Sequence, residues 1–174
     1  ERLVQGEPLT HNMLSWAKQH VEWSLAEGDY TAHDGVLMLV IDVNGNAAMT
    51  VGEYEPLADT SAKALRARSA EARSEADETG VAPELLAAVN NDELAFVAPA
   101  DECLCGTATL IEQLAQTKGI PVTRVDIPAQ LKGALFLVSD EHGVVPADDT
   151  DAAEADAATV AFFADGYEKL RARR

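Results

Sequence analysis

The segment from residue 93 to residue 127 constrains the fold more than any other part of the chain. It reads as a strand over 93–98, an amphipathic helix that begins at Gly106-Thr107 and ends at Gly119, and a second strand over 120–127. Strands joined through a helix pair in parallel, because the helix has to cross back over the face of the sheet. We therefore predict a mixed α/β fold in which helices pack on a mixed sheet.

The rest of the chain supplies a hairpin and further helices. Asn44-Gly45 lies between two apolar runs, which is the strongest short-range hairpin signal. The other predicted elements are a helix over 8–27, a helix over 60–78 stopped by Gly80, a short helix over 83–89, a strand over 135–139 and a helix after the acidic stretch 148–156. We expect one α/β domain over 1–174, composed of an N-terminal helix (1–30), a β-hairpin (35–54), an α/β core (60–147) and a C-terminal helix (148–174).

Composition and charge narrow the classes of function. The chain has 174 residues, of which 47% are hydrophobic, enough for a globular core. Its net charge of −17 repels nucleic acids and anionic membranes, so neither is expected as a partner. The sequence has no run of about 18 apolar residues, so no membrane span is expected. Residues two apart in a strand point to opposite faces, so a disulfide between Cys103 and Cys105 would be strained, and no secretory signal is visible. We therefore expect reduced cysteines and a cytoplasmic location.

Two residue patterns are candidates for chemistry. Gly106-Thr107 at a helix start presents unpaired N–H groups and the positive end of the helix dipole, which suits an anion such as a cofactor phosphate. The alternative is an ordinary helix start capped by Thr107. Lys63, near Arg66, is a candidate Schiff-base lysine, and the alternative is a surface lysine. The four histidines show no ligand spacing and Cys-x-Cys is a weak signal, so no metal site is predicted.

The order of these patterns resembles a known family. Lys63 is followed by the alanine-rich helix ALRARSAEARSEADETG, then by DELAFVAPADECLCGTATLIEQLAQTKGIPV, then by GALFLVSDEHGVVPA and a last helix with Tyr167. This order is similar to the large C-terminal domain of class IV pyridoxal-phosphate enzymes. That family includes branched-chain and D-amino-acid aminotransferases and aminodeoxychorismate lyase. The resemblance covers residues 63–170.

The resemblance implies a cofactor site and an activity. Lys63 would carry pyridoxal phosphate as a Schiff base, and Gly106, Thr107 and Ser139 would hold the phosphate. The implied activity is that of an aminotransferase or lyase acting on an amino-acid-like small molecule. Two positions depart from the family's pattern. Cys105 stands in place of a proline, and Asp140 in place of threonine or a small polar residue, where a carboxylate would repel a phosphate. A catalytically degenerate form is therefore included in this hypothesis.

A non-enzymatic α/β binding domain is the alternative hypothesis. Trp16 and Trp23 widen the apolar stripe of the first predicted helix, and exposed aromatic side chains on a helix favour protein partners. The partner would be a second copy of the chain or another protein. If both tryptophans lie in the core instead, this helix offers no such surface.

Overall fold

The computed structural model describes residues 3–4, 7–8, 10–28, 35–42, 44 and 46–172. The chain divides into two compact units, residues 1–55 and residues 56–174, and each is described by itself. The single domain over 1–174 stays a prediction. The mixed α/β class is confirmed, because helices pack on a sheet with both parallel and antiparallel strand pairs.

The first unit contains a helix and a long hairpin. Its elements are β1 (Leu3–Val4), β2 (Glu7–Pro8), α1 (His11–Glu27), β3 (Gly35–Ile41) and β4 (Ala47–Glu53). Helix α1 begins three residues later than predicted, because Pro8 belongs to β2 and the Thr10 side chain accepts a hydrogen bond from the Met13 N–H. The hairpin is confirmed, with β3 and β4 paired in antiparallel over seven residues each. Of the predicted turn, Gly45 lies outside the described residues.

The two tryptophans of α1 are exposed. Trp16 keeps 41% and Trp23 keeps 66% of its surface accessible, whereas Met13 is the buried residue of this helix. The reading that places both tryptophans in the core is therefore wrong.

The second unit is built on a five-stranded sheet. Its elements are α2 (Ala62–Thr79), β5 (Leu85–Asn90), β6 (Glu93–Val97), α3 (Gly106–Lys118), β7 (Val122–Val125), a 3-10 turn (Pro128–Gln130), β8 (Ala134–Ser139), β9 (Gly143–Pro146) and α4 (Glu154–Arg171). The strands lie in the order β7-β6-β5-β8-β9. The β6–β7 pair is parallel across α3, as predicted, and the other pairs are antiparallel.

The two faces of this sheet carry different helices. Leu85 and Phe136 point to the face covered by α3 and α4, where Ile111 and Phe163 complete the core. Leu86 and Leu137 point to the opposite face, where the fully buried Leu65 of α2 packs. Helices α2 and α3 therefore lie on opposite faces, which decides how their first turns are placed. No helix among the described residues is long and apolar enough to cross a membrane.

The predicted short helix over 83–89 is wrong, because this stretch forms the central strand β5. Its residues from Leu85 to Val89 are all buried, since β5 lies between β6 and β8 and both of its faces are covered. A continuous apolar run of this length has no alternation that would separate a buried strand from a buried helix. Pairing with β6 on one side and β8 on the other makes this stretch a strand.

Candidate functional site

The first turn of α3 is capped by Cys105. This residue has an extended backbone and its Sγ accepts a hydrogen bond from the Ala108 N–H at 3.4 Å. The predicted alternative of Thr107 as the cap is therefore wrong. Thr107 is the second residue of the helix, and it is buried.

The carboxylate of Asp140 covers the remaining N–H groups of this turn. Its Oδ2 accepts a hydrogen bond from the Gly106 N–H at 3.0 Å, and its Oδ1 accepts one from the Thr107 N–H at 2.6 Å. Gly106 allows the carboxylate to come this close. A Cβ at that position would lie 3.3 Å from Asp140 Oδ1, which is a tight contact. The N–H groups of the first three helical residues thus all have acceptors within the protein.

Ser139 is the buried last residue of β8, and its hydroxyl takes part in three hydrogen bonds. Its hydroxyl donates to Glu84 Oε1 at 2.6 Å and accepts from the N–H groups of Glu141 and His142 at 3.0 and 2.9 Å. The side chain is fully buried. The Ser139 hydroxyl is therefore committed to holding Glu84 and the turn that follows β8.

Glu84 connects this turn to α2. Its Oε2 accepts a hydrogen bond from Arg68 Nε at 2.6 Å, and the Arg68 guanidinium also lies near Glu71 and Glu75. Burial acts to lower the pKa of Arg68, but the hydrogen bond and the charge of Glu84 outweigh it, so the pKa of Arg68 is raised. Arg68 therefore stays charged as the cationic partner of Glu84.

Burial and Asp140 together act on the thiol of Cys105. Burial, followed by the charge of Asp140, raises the pKa of Cys105 from 9.0 to about 12. The reactive form of a cysteine is the thiolate, so Cys105 is an unreactive thiol at neutral pH. Its role at this turn is to cap the helix.

Lys63 lies away from this turn. It is exposed in the first turn of α2, where the neighbouring Ala62 N–H donates to Asp149 and the Thr60 carbonyl accepts from the Asp148 N–H. These aspartates follow β9, next to the start of β8, because the Ala147 N–H donates to the Leu135 carbonyl. Asp140 stands at the other end of β8.

The length of β8, which separates the region of Lys63 from Asp140, is greater than the length of a lysine side chain. Leu135 and Asp140 are five residues apart along an extended strand, which amounts to about 16 Å. The two helices also cover opposite faces of the sheet. The structure therefore brings Gly106, Thr107 and Ser139 to one end of β8 and leaves Lys63 at the other.

The residues present do not fit pyridoxal phosphate. A phosphate at the start of α3 would compete with the Asp140 carboxylate for the N–H groups of Gly106 and Thr107. A Schiff-base lysine is normally held in a partly buried site, and Lys63 is exposed. The role of Lys63 and of the three phosphate-site residues stays a prediction.

Three of the residues that meet at this end of the sheet were not predicted from the sequence. Asp140 was visible only as a departure from the family's pattern. The described structure adds Glu84, Glu141 and His142, whose side chains lie close together. No local spacing indicated this group, because Glu84 is separated from Ser139 by 55 residues.

Three solved structures are similar to this chain in fold. A protein assigned as a 4-amino-4-deoxychorismate lyase matches 94% of this chain and 98% of its own length at 16% identity, with a TM-score of 0.47. The fold IV transaminase from Curtobacterium pusillum matches 92% of this chain and 72% of its own length at 14% identity, with a TM-score of 0.48. A protein from Mesorhizobium loti assigned as an amino-acid aminotransferase matches 79% of this chain and 86% of its own length at 19% identity, with a TM-score of 0.47.

The names of these neighbours, a lyase and two aminotransferases, are activities of the family that the sequence resembles. No protein-family model matches the chain, and no curated protein sequence matches it.

Proposed function

We propose that this chain is a non-enzymatic binding domain in which the cofactor site implied by the family resemblance is closed. The observation that carries the proposal is the pair of hydrogen bonds from the N–H groups of Gly106 and Thr107 to Asp140. A carboxylate from the protein itself takes the place that the helix dipole would offer to a phosphate. On this proposal the chain is a catalytically degenerate form of the class IV pattern.

Charge supports the same conclusion. A phosphate monoester carries about −1.5 to −2 charges at neutral pH. To bind at the start of α3 it would have to displace Asp140 or lie against it, and like charges in contact repel. The exposed Lys63 lies toward the opposite end of β8, so it offers no compensating positive charge at this point.

The exposed apolar residues of α1 support a protein partner. Trp16, Trp23, Leu14 and Leu25 each keep more than 40% of their surface accessible. Tryptophan side chains that are exposed on a helix are typical anchors of protein interfaces. The partner proposed here is a second copy of the chain. A cytoplasmic location stays a prediction.

Addition of pyridoxal phosphate tests the closed site. We expect no imine absorbance band that depends on Lys63. Reduction with borohydride followed by peptide mass analysis should show no selective adduct on Lys63. Lys63→Ala is the test variant, and Lys132→Ala, at another exposed lysine, is the matched control. A band that Lys63→Ala removes and Lys132→Ala keeps would contradict the proposal.

Sedimentation over a range of protein concentrations tests the partner surface. If the wild-type chain associates, and a Trp16→Ser/Trp23→Ser double variant associates more weakly, the result would support a second copy as the partner. A strict monomer at every concentration would exclude the second copy and would leave a different protein as the partner to be sought.

A further inference from the structure

We propose that Glu84, Glu141 and His142 form a binding site for a divalent transition-metal ion. One ligand atom from each residue lies within 4.8 Å of the other two. An imidazole with two carboxylates is a donor set that suits borderline ions such as Zn²⁺, rather than Mg²⁺ or Ca²⁺, which prefer oxygen alone. This site does not depend on the binding function proposed above.

Ser139 holds all three ligand residues at once. Its hydroxyl donates to the Glu84 carboxylate and accepts from the N–H groups of Glu141 and His142. A hydrogen bond to a ligand side chain, like the one to Glu84, is characteristic of metal sites, because it fixes the ligand before the ion arrives. The two backbone N–H groups fix the turn that carries Glu141 and His142. The fully buried Ser139 therefore supplies a rigid support.

The spacing of the two adjacent ligands is close to what one ion requires. His142 Nε2 lies 3.8 Å from Glu141 Oε1, which is longer than a hydrogen bond. Two ligands placed tetrahedrally around Zn²⁺ at bond lengths of about 2.0–2.2 Å are about 3.4 Å apart. A shift of a few tenths of an ångström would bring these two atoms onto a common ion.

Charge and burial favour a cation at this point. The Glu84 and Glu141 carboxylates lie within 4.8 Å of each other, and Arg68 is the cation bonded to Glu84. Arg68 is also shared with two other glutamates of α2. The side chains of His142, Glu84 and Glu141 are 6%, 12% and 33% exposed. The cluster is thus open on the Glu141 side, where water would complete the coordination.

Calorimetric titration of the chelator-treated chain with Zn²⁺ tests the site. We expect one site per chain, with affinity at least tenfold lower in Glu141→Gln and in His142→Gln. Glu93→Gln removes the same charge from an exposed strand position and is the matched control. Unfolding in urea should be recorded for each variant, so that a loss of binding is interpreted only for a folded chain.

Two further titrations separate this site from the alternatives. Ca²⁺ and Mg²⁺ should bind at least tenfold more weakly than Zn²⁺, because they gain little from an imidazole. Co²⁺ should give a visible absorption band that His142→Gln removes and that Cys103→Ser, at the exposed thiol, keeps. Zn²⁺ binding that persists unchanged in both ligand variants, or that Ca²⁺ matches in affinity, would overturn the proposal.

Discussion

The carboxylate of Asp140 and the backbone N–H of Thr107 lie 2.6 Å apart, although 33 residues separate them along the chain. The contact joins the turn after β8 to the first turn of α3. It combines a charge-assisted hydrogen bond with the favourable position of an anion at a helix N-terminus. The same pair of residues therefore contributes to stability and closes the place where an external anion would bind.

Replacement of Asp140 should destabilise the second unit. In Asp140→Asn the side chain can accept only one of the two hydrogen bonds, and the charge at the helix N-terminus is lost. We expect the free energy of unfolding in urea to fall by about 1–2 kcal/mol. Asp165→Asn removes the same charge from an exposed position of α4 and should change it by less than about 0.5 kcal/mol. Equal effects of the two variants would show that the hydrogen bonds to Asp140 do not stabilise the start of α3.

The two thiols should differ sharply in reactivity. Cys103 is exposed, whereas Cys105 is buried with a pKa raised to about 12. At pH 8 we expect a disulfide reagent to modify one thiol per native chain rapidly and both thiols in denaturant. Cys103→Ser should abolish the rapid phase. A native chain in which both thiols react at the same rate would contradict the burial of Cys105.

The raised pKa of Cys105 also predicts a dependence of stability on pH. Above its ordinary pKa of 9.0 the thiol ionises in the unfolded chain, but in the folded chain it keeps its proton up to about pH 12. The unfolded state then binds fewer protons, so the free energy of unfolding decreases as the pH rises through this window. The slope from this group is about 1.4 kcal/mol per pH unit. Since lysines and tyrosines titrate in the same range, the measurement is the difference in slope between wild type and Cys105→Ala.

Two glycines offer a matched test of steric packing. Gly119 and Gly143 have nearly the same left-handed backbone, with φ of 72° and 74°. A Cβ at Gly119 would meet open space, whereas a Cβ at Gly143 would lie 2.5 Å from the Tyr167 ring. We expect Gly119→Ala to cost about 1 kcal/mol from backbone strain alone. Gly143→Ala should cost about 2–4 kcal/mol, because the ring must also move. Similar costs for both would show that the Tyr167 ring adapts freely.

Glycine positions and hydrophobic periodicity in the sequence correctly predicted the helix ends, the hairpin and the strand–helix–strand crossover. Gly80 and Gly119 end their helices in the left-handed conformation, as the positions of these glycines indicated. The hairpin and the parallel crossover through α3 are confirmed for similar reasons. The periodicity of α3 and the turn residues at its ends carry that information within a few residues of where it is needed.

Long-range contacts explain what the sequence did not reveal. The stretch that forms β5 has strong helix formers, and its identity as a strand depends on pairing with β6 and β8. The meeting of Glu84 with Ser139, and of Gly106 with Asp140, depends on how the strands are ordered. The distance between Lys63 and the start of α3 follows from the placement of their helices on opposite faces.

The first turns of α2 and α3 both depend on carboxylates from loops after strands that come later in the chain. Asp149 accepts from the Ala62 N–H over 87 residues, and Asp140 accepts from the Thr107 N–H over 33 residues. The contact of Ala62 needs the chain through β9, and the contact of Thr107 needs the turn after β8, so both helix starts should fray in any state that lacks the β8–β9 hairpin. These two turns are therefore expected to form late in folding, after the transition state. Substitutions that remove the two carboxylates would then mainly speed unfolding.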